Sequence, residues 1–142
     1  MITHLEKNRK ISLILTLIIA FIIYLFSTIH GSSISSPEIF NLSYIYHFGI
    51  FFLFSLFLLI TIKGEKETEK HHVFIVLIIA IIYAFLDELH QSFIPGRNAS
   101  VIDLLTDTAG IFLSVVFYEK IKNMNFIKIK KNKSKEKTIN KP

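Results

Sequence analysis

Four apolar runs, at 11–27, 44–62, 73 onward and 101–118, make up about half of this sequence. Their lengths approach or reach the roughly 17–25 residues that a helix needs to cross a bilayer. A soluble domain of 142 residues cannot bury so many long apolar segments, whereas lipid is their natural solvent. Hydrophobic residues make up 51% of the chain and the mean hydropathy is +0.51, in agreement. The fold expected is all-α: a polytopic membrane protein with four transmembrane helices in one domain. The chain has no Cys, which excludes disulfides and thiolate metal sites.

The connections between the runs are polar. Residues 1–10 form a basic N-terminal segment carrying Lys7, Arg9 and Lys10. The first apolar run is longer than the core of a signal peptide, and no Ala-x-Ala-like site follows it. An uncleaved first span ending near His30 is expected. Residues 31–43 have the composition of a loop, with Pro37 and several Ser, and 63–72 is a charged loop of mixed sign. Residues 92–100 form a tight connection in which Pro95-Gly96 favours a turn that holds Arg97. From 119 to 142 there are nine Lys and no long apolar run, so this part is expected to be a basic, solvated tail. Its 124–129 portion suits the lipid surface. The organisation is thus 1–10, a transmembrane unit over 11–118, and a tail over 119–142.

Charge sets the expected orientation. The termini and the 63–72 loop hold 15 of the 16 Lys and Arg, and the other side holds only Arg97. By the positive-inside rule both termini face the cytoplasm, in the cytoplasmic membrane. Including the acids, the inner half carries +9 and the outer half −4. A nucleic-acid partner is excluded, because no soluble face interleaves basic groups with exposed aromatics.

Against this background the acids Asp87, Glu88, Asp103 and Asp107 stand out, since desolvating a carboxylate inside a span is expensive. At a rise of about 1.5 Å per residue, Asp87, Asp103 and His47 each lie roughly 22 Å above the cytoplasmic end of their helix. The expectation is one polar level in the outer leaflet, with Asp107 deeper, and Glu88, His90, Gln91 and Arg97 nearer the surface. Helical rotation puts Asp103, Thr106, Asp107, Gly110 and Ser114 on one stripe. It puts Ala80, Ala84, Asp87 and Gln91 on another, with Glu88 beside it. His90 points elsewhere unless its helix unwinds before Pro95. His30 either caps the first span or faces the cluster.

The run Asp87-Glu88-Leu89-His90-Gln91, then Pro95-Gly96-Arg97, Ser100, Asp103 and Gly110, with His47-Phe48 upstream, resembles the signature of the VanZ-like membrane proteins. Members of that family commonly carry Asn four residues after the last Asp, where this chain has Asp107. The family is named for a teicoplanin (glycopeptide) resistance protein of Gram-positive bacteria. The resemblance implies a small polytopic membrane protein linked to the cell envelope and to antibiotic susceptibility.

Three uses of the cluster are open. In the first, the acids, protonated or paired with Arg97, only hydrogen-bond helices together in a non-enzymatic scaffold. In the second, they bind a ligand: a divalent metal among Asp87, Glu88, Asp103 and His47, or a phosphate or carboxylate of a lipid-linked envelope precursor held by Arg97 and Gln91, with a glycopeptide as another partner. In the third, they are catalytic, with Asp87 or Glu88 as base, His47 as partner and Asp103 alongside. His90, Gln91, Arg97 and Asp107 would then line the substrate, a lipid-linked component open to hydrolysis or group transfer.

Overall fold

The computed structural model describes residues 2–29 and 37–139. The described residues form five helices: α1 (Ile2–Lys7), α2 (Arg9–Thr28), α3 (Pro37–Lys63), α4 (Lys70–Gln91) and α5 (Val101–Ile139). Four segments are long and apolar enough to cross a membrane: Arg9–Thr28, Leu42–Lys63, Lys70–Gln91 and Val101–Met124. Phe21, Leu53, Phe74 and Val116 point outward from these four segments, a surface suited to lipid. Phe51, Leu59, Ile60, Val76, Ala80, Ala84 and Ile111 are fully buried between the helices.

Two boundaries differ from those expected. The 31–43 segment is not all loop, because α3 begins at Pro37. Proline is well suited to the first turn of a helix, where its missing N–H has no partner to lose. At the other end, α5 does not stop at Tyr118 but continues through Ile139, so 119–139 is helical. Lysine is a good helix former, and no Gly or Pro occurs between Gly110 and Pro142 to interrupt it. His30 and residues 31–36 lie outside the described residues.

One end of the bundle is tied by polar contacts. Lys63, only 2% exposed, reaches Glu6 at 3.2 Å and donates to the carbonyls of Gly64 at 2.9 Å and Lys66 at 2.8 Å. The Tyr118 hydroxyl donates to Glu6 as well. Arg9 Nε donates to the Thr61 carbonyl at 3.0 Å, satisfying the last turn of α3. Gly64 follows with φ 58°, the left-handed conformation that commonly ends a helix. The N-terminal helix, the α3–α4 turn and the Tyr118 region of α5 therefore share one end. The turn after α4, with Arg97, lies at the other.

The closest helix pair is α3 with α5. A Cβ placed on Gly110 would collide with the Phe48 carbonyl and stand 3.2 Å from the Phe52 nitrogen. Below that contact Ser55 Oγ and Ser114 Oγ are 2.7 Å apart. Small residues at a helix interface allow such backbone approach in lipid, where no hydrophobic force drives helices together. Gly110→Ala is expected to cost about 1–3 kcal/mol through overpacking. Gly49→Ala, with no atom within 4 Å of its added Cβ, is expected to be neutral. Reversible unfolding of both variants in detergent measures the difference.

Candidate functional site

Asp87 and Glu88 are neighbours on α4, yet they serve different partners. Asp87 Oδ2 accepts from Gln91 Nε2 at 2.8 Å, one turn along the same helix. Gln91 Oε1 in turn accepts from Arg97 Nη1 at 3.0 Å. Arg97 is delivered by a tight turn: its N–H donates to the Ile94 carbonyl at 3.1 Å, and Gly96 takes φ 78°. Pro followed by a positive-φ Gly is what the centre of a type II turn requires, as the sequence predicts.

Glu88 faces α5. Its Oε2 accepts the backbone N–H of Ser100 at 2.7 Å, and Ser100 Oγ accepts the Asp103 N–H at 3.2 Å, capping α5. In a capping box the acid at Asp103 would reach back to the cap residue's N–H. Glu88 has taken that donor instead. Asp103 Oδ1 is left buried without a partner.

His47, buried on α3, meets Asp107 rather than the Asp103 level expected: Nδ1 and Oδ1 are 3.0 Å apart, and Asp107 is 0% exposed. The difference follows from the helix register. His47–Asp107 and Ser55–Ser114 are separated by 60 and 59 residues, so Ile62 is level with the turn beyond Tyr118. Because α5 does not end at Tyr118, depths measured from that residue are wrong by about one turn, near 5.4 Å. One donor atom from each of His47, Glu88 and Asp107 lies within 4.8 Å of the others. Asp87 points away from this trio, toward Gln91.

His90 does not need an unwound helix to find a role. It stays within α4, its ring 5.4 Å from that of Tyr24 on α2. With Tyr24, Tyr83, Leu86 and Asp87 it lines a cavity of about 160 Å³. The sequence reading missed Tyr24, Ser27 and Tyr46. Ser27 is buried beside the Asp87 carboxyl, and the Tyr46 ring packs edge-on to His47 at 5.7 Å. The signal for both was the same as for the acids: a polar group inside an apolar span.

Six buried side-chain atoms among the described residues have no hydrogen-bond partner: Ser27 Oγ, Tyr46 OH, Glu88 Oε1, His90 Nε2, Asp103 Oδ1 and Asp107 Oδ2. All six belong to the Arg97 end of the bundle. At the Lys63 end, by contrast, the buried ammonium has three oxygen partners. An unpaired buried polar atom costs about 1–3 kcal/mol, so their gathering at one end calls for a reason.

A protein-family model described as VanZ/LLP1 matches residues 3–123. The match spans α1 to α4 and the membrane-crossing part of α5, and so contains every residue of the cluster. No curated protein and no solved structure matches the chain significantly.

The register makes a direct prediction. A double-mutant cycle with His47→Gln and Asp107→Asn should give a coupling energy of about 0.5–3 kcal/mol in unfolding experiments. The same cycle with Asp103→Asn in place of Asp107→Asn should give much less.

Proposed function

The chain belongs to the VanZ/LLP1 family, and from that premise we propose that its polar cluster receives the headgroup of a cell-envelope component. The positive-inside distribution supports an orientation with both termini cytoplasmic, so that the Arg97 end opens at the outer face of the cytoplasmic membrane. The ligand class is a lipid-linked envelope precursor, whose recognition would connect the protein to glycopeptide, including teicoplanin, susceptibility.

The observation that carries this reading is the one-sided gathering of unpaired buried atoms. A ligand with several hydroxyls or oxyanions would satisfy them. Arg97 supplies the fixed positive charge and planar donor geometry suited to a phosphate or carboxylate. Gln91, held between Asp87 and Arg97, orients that guanidinium. Glu88 is positioned by the Ser100 amide and keeps Oε1 free toward the site. The paired His47 and Asp107 lie across from it. Asp103 and His90 hydrogen-bond the headgroup.

The rival reading is a scaffold whose polar groups only assemble helices, and the His47–Asp107 and Ser55–Ser114 bridges favour it. Conservative variants separate the two. Glu88→Gln, Asp103→Asn and Arg97→Ala, present in the membrane at wild-type level, should each abolish the protein's effect on envelope-lipid composition and glycopeptide susceptibility. A scaffold would tolerate the first two. Unchanged lipid profiles and susceptibility in all three would sink the binding-site reading. Orientation is tested separately: a Cys replacing Arg97 should react with an impermeant thiol reagent from outside intact cells, and labelling only from the cytoplasmic side would reverse it.

A further inference from the structure

The cluster divides into two compartments with opposite needs. On one side Arg97 donates to Gln91, and Gln91 in turn donates to Asp87. On the other, Glu88 and Asp107 face each other across His47, and among the described residues no Lys or Arg is bonded to either carboxylate. The acidic side is also the drier one: His47 is 4%, Glu88 4% and Asp107 0% exposed. Two carboxylates held this closely in apolar surroundings are relieved either by a proton or by a compensating positive charge.

The geometry points to a divalent cation bound by His47, Glu88 and Asp107, a site that deepens the headgroup-binding reading above and rests on it for its purpose. Hard carboxylate oxygens with one imidazole nitrogen suit Mn2+, Mg2+ or Zn2+. The donor atoms lie within 4.8 Å of one another, and atoms sharing one ion stand roughly 3–3.5 Å apart, so modest side-chain rotation closes the set. Two oxygens are free to make that movement without breaking any hydrogen bond: Glu88 Oε1 and Asp107 Oδ2, both buried and unpartnered. Glu88 is already steadied through its other oxygen by the Ser100 amide at 2.7 Å, an outer contact of the kind that orients ligands in metal sites, while His47 and Asp107, 3.0 Å apart, already stand side by side. Three protein ligands leave further positions for water or for an oxygen of an anionic headgroup. The anion would then lie between the cation and Arg97.

Mn2+ is the probe, because its binding is read without any activity. Full-length protein in nanodiscs of phosphatidylcholine, stripped with chelator, is titrated with Mn2+ while the free ion is followed by electron paramagnetic resonance. Saturable binding of a single ion per chain is expected, with nitrogen modulation in the spin echo from His47. Glu88→Gln and Asp107→Asn should each raise Kd about tenfold or more, and His47→Gln should remove the nitrogen modulation. Glu67→Gln, at the Lys63 end, should change neither. Absence of saturable binding in the wild type, or wild-type affinity in a Glu88→Gln/Asp107→Asn double variant, overturns the site. Helix content and elution profile establish that each variant is folded; if one is not, the wild-type nitrogen modulation decides, and its absence overturns the site. Arg97→Ala separates this proposal from the previous one. Intact Mn2+ binding with no effect of Arg97→Ala on the envelope would leave the cation site standing and remove the headgroup reading.

Discussion

The contact of α3 with α5 at Gly110 is the interaction on which the polar site depends. It brings the backbone of α5 against the Phe48 carbonyl, and this fixes both the spacing and the register of the two helices. The hydrogen bonds on either side of it, Ser55–Ser114 and His47–Asp107, follow from that register. Interhelical hydrogen bonds in membranes average about 0.6 kcal/mol, too little to impose a register against poor packing. Backbone approach through a small residue is what sets the frame. Moving α5 by one turn would bring Asp103 or Ile111 opposite His47 and dismantle the trio with Glu88.

Much of the architecture was legible in the sequence because hydropathy is a strong signal in lipid. The four spans, the short turn at Pro95-Gly96 and the stripe Ala80, Ala84, Asp87, Gln91 with Glu88 all emerge as expected. The departures have physical reasons. Pro37 looked like a loop residue from composition alone, although a helix tolerates proline in its first turn. Hydropathy falls away after Tyr118, but the helix continues because Lys favours helix. The second departure caused a third: with α5 ended too early, His47 was levelled with Asp103 when it belongs with Asp107. Register between helices depends on where small residues let backbones touch, and composition does not encode it.

The two ends of the bundle show that membrane proteins of this size can pair their buried charges when nothing else is required. Lys63 is more buried than Asp87, Glu88 or His47, yet Glu6 and two carbonyls surround its ammonium. That arrangement anchors α1 and the α3–α4 turn, and it is complete. Among the described residues, the Arg97 end buries three acids, Asp87, Glu88 and Asp107, and holds one guanidinium and six unpaired atoms. An Asp at the centre of a span costs about 2.5–3.5 kcal/mol to insert. A purely architectural role would recover only a fraction of that through helix-helix hydrogen bonds. The asymmetry between the ends argues for use of the second one.

The dipeptide Asp87-Glu88 explains how so short a stretch supplies two chemistries. Consecutive residues on a helix point about 100° apart, so adjacent acids on one buried face look toward different neighbours. Asp87 looks along its own helix to Gln91 and through it to Arg97, while Glu88 looks across to the start of α5. The Ser100 amide that holds Glu88 is the donor that Asp103 would otherwise accept in a capping box. Diverting it leaves Asp103 with an open oxygen at the mouth of the same site. One hydrogen bond thus joins α4 to α5, orients one carboxylate and frees another, and removing it would disturb three functions of the cluster at once.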